Sequence, residues 1–249
     1  MTTQSIDVNA DLGEGGAFDQ ELFPLISSAN IACGVHAGDA ETMRVSVRLA
    51  MQHGVAIGAH PSLNDREGFG RQWIDVPGPE LRNQIWEQIS ALQRICSDEG
   101  ANLSYVKTHG ALNNRAATDD AVAVIVARAV SAVDPALNIF AQPGSAMDKV
   151  ATRQGLPVIR EAFADRAYNA DGTLVERGTE GSVLTDPAAI AERMIRLIST
   201  GEIETIDGLT IHLPADTICI HSDTPGAVEI ATTLTTALRD VGIEIRSQI

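Results

Sequence analysis

Four times along this chain an amphipathic stretch ends in a glycine and passes into a short β-branched run. The cases are Gln52-His53-Gly54 before 55–59, Asp98-Glu99-Gly100 before 103–107, Arg153-Gln154-Gly155 before 157–160, and Asp240-Val241-Gly242 before 243–245. A glycine just past a helix supplies the left-handed residue that ends it, so each case marks a helix handing over to a strand. Reading outward from these junctions, strands are expected near 6–8, 29–32, 55–59, 103–106, 138–141, 158–161 and 217–220, with 243–245 as an eighth. Helical patterns fill the intervals, as at 80–96, where Leu81, Ile85, Ile89, Leu92 and Cys96 recur at three- and four-residue spacing. At 186–187 an aspartate followed by proline reads as a capped helix start. Strand and helix alternating this often require parallel strands with helices outside, in a closed barrel or a doubly wound sheet. The barrel is preferred, as one domain over 1–249, because no linker or low-complexity run divides the chain. Segments 173–175 and 206–211 break the alternation and read as excursions from it.

Charge narrows the function. Eighteen Lys plus Arg against thirty-three Asp plus Glu leave a net charge of −15, and such a surface repels phosphate backbones and anionic lipid. No nucleic-acid or membrane role is expected. The apolar run at 121–133 is broken by Arg128 and Ser131, short of the roughly 20 residues that span a bilayer. The first residues lack the basic and apolar regions of a secretory signal. Cys33, Cys96 and Cys219 are far apart and form no C-x-x-C pair, against both a disulfide framework and a cysteine zinc site. A reduced, cytoplasmic setting is expected.

Almost every expected strand ends in residues that do chemistry, where an α/β barrel gathers its active site. The first is followed by Asn9, Asp11 and Glu14, the second by Asn30, His36 and Asp39, the third by His60, and the fourth by Lys107 and His109. The fifth gives Gln142, the sixth Glu161, Asp165 and Arg166, and the seventh His221 and Asp223. Lys107 is one of only two lysines beside sixteen arginines, which suits an electrophilic donor, a base if desolvated, or a structural ion pair. Asp11 precedes Gly13-Glu14-Gly15-Gly16, which reads as an Asx-turn or an anion-binding nest but matches neither nucleotide-binding fingerprint. The loop 64–71 carries Arg66 and Arg71 among glycines and suits equally a lid that clamps a carboxylate or a surface loop with ordinary ion pairs. His53 is expected to complement a helix dipole, His212 to be structural, and Cys33 to be a buried small hydrophobe.

These blocks resemble the LamB/YcsF family. The resemblance rests on IDVNADLGE at 6–14, ANIACGVHAGD at 29–39, IGAHPS at 57–62 with GFGR at 68–71, YVKTHGAL at 105–112, EAFADRAY at 161–168 and ICIHSD at 218–223. Departures fall at Ala10, Thr108, Asn113 and Ser222, where Cys, Pro, Tyr and Gly are expected, and they bear on substrate preference. The resemblance implies a distorted seven-stranded (β/α) barrel similar to that of polysaccharide deacetylases. It further implies the A-subunit of a bacterial ATP-dependent 5-oxoprolinase, a hydrolase of a cyclic amide C–N bond working with subunits B and C, with ATP held by a partner. The expected catalytic set is Asp11, His36, Asp39, His60, Lys107 and His109. The expected substrate-binding set is Asn9, Glu14, Arg66, Arg71, Glu161, Asp165, Arg166 and His221. In this reading Asp11 or His36 activates water and Lys107 or His109 stabilises charge or protonates the leaving nitrogen. Two readings compete: a metal-dependent deacetylase using Asp11, His36 and His60 on a divalent ion, and a lactam-binding subunit without catalysis.

Overall fold

Strand and helix alternate as the glycine junctions require. The computed structural model describes residues 4–16 and 18–249; the reading of the first residues as free of a leader therefore lies partly outside the described residues. The elements run β1 (Ser5–Leu12), α1 (Asp19–Leu22), a single 3-10 turn (Phe23–Leu25), β2 (Ser28–Ala32), α2 (Ala40–His53), β3 (Ala56–His60), α3 (Gly78–Glu99) and β4 (Leu103–Val106). They continue with α4 (Gly110–Thr118), α5 (Asp120–Val133), β5 (Asn138–Ala141), α6 (Ala146–Arg153), β6 (Val158–Phe163) and α7 (Pro187–Thr200). The chain ends with β7 (Glu202–Glu204), β8 (Thr210–His212), β9 (Thr217–Ile220), α8 (Ala227–Asp240) and β10 (Glu244–Ile245). Gly54 and Gly100 close α2 and α3 at φ of 67° and 77°, the left-handed conformation expected of them.

Strands β1 to β6 and then β9 pair in that order, all parallel, and β9 pairs back onto β1 to close a seven-stranded barrel. Register across the closure puts Asp7 opposite Thr217 and Asn9 opposite Cys219. The eighth strand expected at 243–245 is the two-residue β10, which pairs with the amino-terminal end of β1 below the start of β2. The excursions also differ in detail: β7 and β8 make a separate antiparallel hairpin, and the long segment after β6 folds back through bridges from Arg166 to Val183 and from Tyr168 to Leu174.

The helices bury their apolar stripes against the outside of the barrel. In α3, Leu81, Ile85, Ile89 and Leu92 are fully shielded, each contributing roughly 1.5–3 kcal/mol of burial. Asp186 caps α7 by accepting from the amides of Ala188 and Ala189, with Pro187 in the first turn where its missing N–H costs nothing.

Inside the barrel the usual apolar packing is replaced by polar groups. Strand β1 alternates so that Ile6, Val8, Ala10 and Leu12 face the helices while Asp7, Asn9 and Asp11 face the axis. Asp7 accepts from the hydroxyls of Ser27, Ser28 and Thr217 at 2.5, 2.8 and 2.5 Å. One layer up, Asn30 donates to Asn9 and Asp11 and accepts from the Tyr105 hydroxyl at 2.8 Å. Tyr105 fits only because position 58 is glycine, whose added Cβ would lie 2.1 Å from the ring. Among the described residues no helix is long and apolar enough to cross a membrane.

Candidate active site

A cavity of about 280 Å³ opens above this polar column, at the carboxyl ends of the strands. Its floor is Asp11 from β1 and Lys107 just past β4, both buried, joined at 2.8 Å. The Lys107 ammonium also lies 3.0 Å from Glu161 and donates to the Cys219 sulfur at 2.9 Å. Burial alone would lower the lysine, but Asp11, Cys219 and Glu161 outweigh it and hold it well above its ordinary range. Paired in this way, Lys107 is placed to present positive charge to the cavity more than to accept a proton. Burial likewise works to raise Asp11, yet His60 and Lys107 overcome it and keep that carboxyl well below the carboxylate range. The floor is a fixed ion pair that presents charge to whatever sits above it.

One wall carries an oriented imidazole. His221 Nδ1 lies 2.8 Å from Asp165, whose carboxylate also accepts from the Thr224 hydroxyl. Because a carboxylate only accepts, Nδ1 carries the proton and Nε2 is turned toward Asp11, 4.0 Å from its Oδ2. Burial would raise Asp165, but His221 and the hydrogen bonds from His221 and Thr224 win, so it remains an anion. This carboxylate–imidazole pair is the arrangement that steers a general base or acid.

Opposite it three more imidazoles meet. His60 Nδ1 lies 2.8 Å from the Lys107 carbonyl, and His109 Nε2 lies 2.9 Å from the Phe69 carbonyl. His36 stacks on His109 with ring centroids 4.0 Å apart and contacts Glu14 at 3.0 Å. Burial chiefly lowers His36, to about 3, and lowers His109 well below the usual range, while burial and Asp11 push Glu14 up. The loop 64–71 is packed onto this cluster. Phe69 stands edge-on to His36 and His109, and the Gly70 carbonyl accepts from the Ala111 amide at the start of α4. Only glycine suits position 70, at φ of 66° with an added Cβ 2.1 Å from Ser62 Oγ.

The structure thus brings Asp11, His60, Lys107, His109, Glu14, Arg71, Arg166 and His221 to one cavity and leaves other expected members outside its lining. Asp39 is exposed and caps α2 through the Thr42 amide at 2.8 Å, so its polarity serves the helix start. Arg66 donates to the carbonyls of Gly34 and Gly38 instead of reaching the cavity. Asn9 and Glu161 lie in the barrel beneath the floor, Asp165 stands behind His221, and His36 stands behind His109. Of the expected metal trio, Asp11 and His60 meet at 3.4 Å, while His36 joins His60 in a second group with Glu14 and His109, and Asp11 also groups with Cys219 and His221. Gln142 belongs to a different cavity. The glycine run after Asp11 is no open nest, since the Gly13 amide donates to Asp19.

Other positions agree with their bland readings. All three cysteines are free and buried, and burial pushes the Cys33 thiol up to about 12. Ala10 faces the helices, so a thiol there would not reach the cavity. Thr108 and Asn113, two departures from the family pattern, both line the cavity and are joined by a hydrogen bond of 3.1 Å.

Sequence reasoning missed Cys219, Thr224, Phe163 and Arg177. Cys219 precedes His221 by two, so the strand alternation that faces one inward also faces the other inward. Arg177 arrives on the excursion after β6, from which no periodicity could have placed it at the cavity.

The profile of the LamB/YcsF family matches residues 6–249. A protein from Natranaerobius thermophilus that is named as the A-subunit of 5-oxoprolinase is 45% identical over 247 residues, which cover 97% of this chain and 96% of that one. The crystal structure of a lactam utilization protein from Thermus thermophilus superposes with a TM-score of 0.91 at 41% identity, over 98% of this chain and 99% of that chain. A T48 deacetylase solved with substrate aligns at a TM-score of 0.50 and 12% identity, over 98% and 88% of the two chains, a likeness of fold alone.

Proposed function

Because the chain belongs to the LamB/YcsF family, we propose that it is the subunit of an ATP-dependent 5-oxoprolinase in which the five-membered lactam of 5-oxo-L-proline is hydrolysed to L-glutamate. The observation that carries this reading is the cavity itself. It has the size for a small molecule, a fixed Asp11–Lys107 pair at its floor, an imidazole steered by Asp165 on its wall, and Arg71 and Arg177 at its mouth.

A lactam is a poor electrophile and its opening is uphill near neutral pH, so the reaction is coupled to ATP. The chain has no nucleotide fingerprint, and ATP and the phosphorylating step belong to partner subunits B and C. The lactam oxygen takes the γ-phosphoryl group and ADP leaves. Water, losing its proton to His221 Nε2, adds to the former carbonyl carbon. The C–N bond then breaks as the nitrogen takes a proton, which leaves an acyl phosphate. A second water releases inorganic phosphate and glutamate. Lys107 supplies fixed positive charge beneath the anionic intermediates, and Arg71 holds the substrate carboxylate. Thr108 and Asn113 on the wall set the preference among small cyclic amides.

The test is ATP-dependent release of glutamate from labelled 5-oxoproline in extract of a source strain lacking this chain, with and without the purified protein. Restoration is expected. Failure to restore while the partners are shown to be active removes the reading.

A further inference from the structure

Two imidazole nitrogens in this site face each other at 3.0 Å. The Lys107 and Phe69 carbonyls can only accept, so the proton of neutral His60 sits on Nδ1 and that of neutral His109 on Nε2. The remaining atoms, His60 Nε2 and His109 Nδ1, carry lone pairs and are 3.0 Å apart. Glu14 Oε1 closes the group at 3.3 Å from His109 Nδ1 and 3.8 Å from His60 Nε2. These three atoms converge on one point, with Asp11 Oδ2 a further neighbour 3.4 Å from His60 Nε2, and either a shared proton or a bound cation satisfies them.

We propose that Glu14, His60 and His109 bind one divalent transition-metal ion of the zinc class, with His36 as the positioning residue that holds Glu14. The separations suit it. Zinc with nitrogen and oxygen donors at about 2.0–2.2 Å in a tetrahedron sets its donors about 3.3 Å apart, and the observed 3.0, 3.3 and 3.8 Å surround that spacing. The backbone carbonyls that fix both tautomers are the outer partners such ligands need. His36 is excluded as a fourth ligand by its own geometry. Its ring is stacked on His109 with an interplanar angle of 7°, and parallel stacked rings cannot both hold an ion in their planes. Its Nε2 instead meets Glu14 at 3.0 Å, and its buried Nδ1 has no partner among the described residues.

The three ligands line the cavity and His36 does not, which leaves a fourth position open toward Asp11 and His221. A set of two histidines and one glutamate with an open position is the pattern of a catalytic site, and imidazole donors select zinc and its late first-row neighbours over magnesium or calcium. The inference concerns binding alone and stands whether or not the substrate is 5-oxoproline.

The test strips the full chain with a chelator and titrates it with Co²⁺, read by visible absorption, and with Zn²⁺, read by elemental analysis after desalting. One ion per chain is expected, with a Co²⁺ spectrum of nitrogen and oxygen coordination that Zn²⁺ abolishes. His60→Ala, His109→Ala and Glu14→Gln, each checked for a native circular-dichroism spectrum, lose the ion. His36→Ala retains the stoichiometry and weakens affinity by about 10–100-fold, as loss of an outer partner does, while His212→Ala changes nothing. Absence of any bound ion in the wild type, or binding undiminished in the ligand variants, overturns the proposal. Should the variants fail to fold, ¹⁵N spectra of the wild-type histidines decide: a proton shared between His60 and His109 that Zn²⁺ does not displace also overturns it.

Discussion

Lys107 and Asp11, both buried at the cavity floor, meet at 2.8 Å, and Glu161 makes the lysine a member of a buried triad. Removing the cation strands two carboxylates in a low-dielectric interior, where an unpaired charge is costly. Lys107→Met is expected to lower the unfolding free energy by about 3–5 kcal/mol, read from urea denaturation followed by circular dichroism. A loss below about 1 kcal/mol would mean that the triad is solvated and that its charge is not fixed.

The same neighbourhood sets an alkaline limit. Burial holds the thiol of Cys219 well above 9.0 and, as the leading cause, the hydroxyl of Tyr105 well above 10.0, while Lys107 is held above 10.5 by Asp11, Cys219 and Glu161 against its burial. In each case the folded protein keeps a proton that the unfolded chain gives up first. Stability is therefore full below about pH 9 and is lost as pH rises from there through the folded values. Urea midpoints measured from pH 7 to pH 11 are expected to fall steadily above pH 9. A flat profile would show that none of the three groups is protected.

Asp165 orders His221 through a 2.8 Å contact at Nδ1. With Asp165→Asn the imidazole loses its anionic partner and the preference for the Nδ1 tautomer. If the proposed activity holds, kcat of the complex assembled with its partner subunits is expected to fall by about 10²–10⁴-fold with little change in KM. Unchanged turnover would instead favour a subunit that binds the lactam without acting on it.

Much of the barrel was legible because its junctions are chemically explicit. Gly54 and Gly100 end helices in the left-handed conformation, Asp186 with Pro187 starts one, and α3 exceeds its expected limits by two residues at one end and three at the other. The interior was not. In β1 the apolar residues face outward to the helices and the polar ones inward, so Asn9 and Asp11 both read as rim chemistry when only Asp11 reaches the cavity floor, and Asp7 lies inside the barrel. The site divides along the same line. Residues that follow a strand directly, such as His60, Lys107 and His221, land where strand direction sends them. Those on loops do not follow such a rule: Asp39 turned out to cap a helix, Arg66 to pin a backbone, and Arg177 to arrive unannounced.

Gly58 shows how a single absent Cβ supports the polar column. An alanine there would place its methyl 2.1 Å from the Tyr105 ring, which is stacked on Phe140 at 4.0 Å and tied to Asn30. Gly58→Ala is expected to destabilise by about 1–3 kcal/mol through overpacking, and Tyr105→Leu in the same chain to recover part of that by vacating the space. Thermal unfolding of the two variants against the wild type checks the pair, and a harmless single substitution would show that the ring has room to move.

Arg71 stands at the cavity mouth with its guanidinium 5.1 Å over the Phe69 ring and an ion pair to Asp223. Stacking and pairing together fix the plane of the fork, which is what a substrate carboxylate needs for two parallel hydrogen bonds. A lysine keeps the charge and loses the plane. Arg71→Lys is therefore expected to raise KM for 5-oxoproline by about 10–100-fold, the worth of a charged hydrogen bond, at nearly constant kcat. Asp223→Asn separates this from a role confined to the ion pair, because it frees the guanidinium without removing it. If Arg71 binds substrate, the Asp223 variant retains most of the affinity that the Arg71 variant loses. If both variants raise KM equally, Asp223 is the residue that orders the mouth and the carboxylate is held elsewhere.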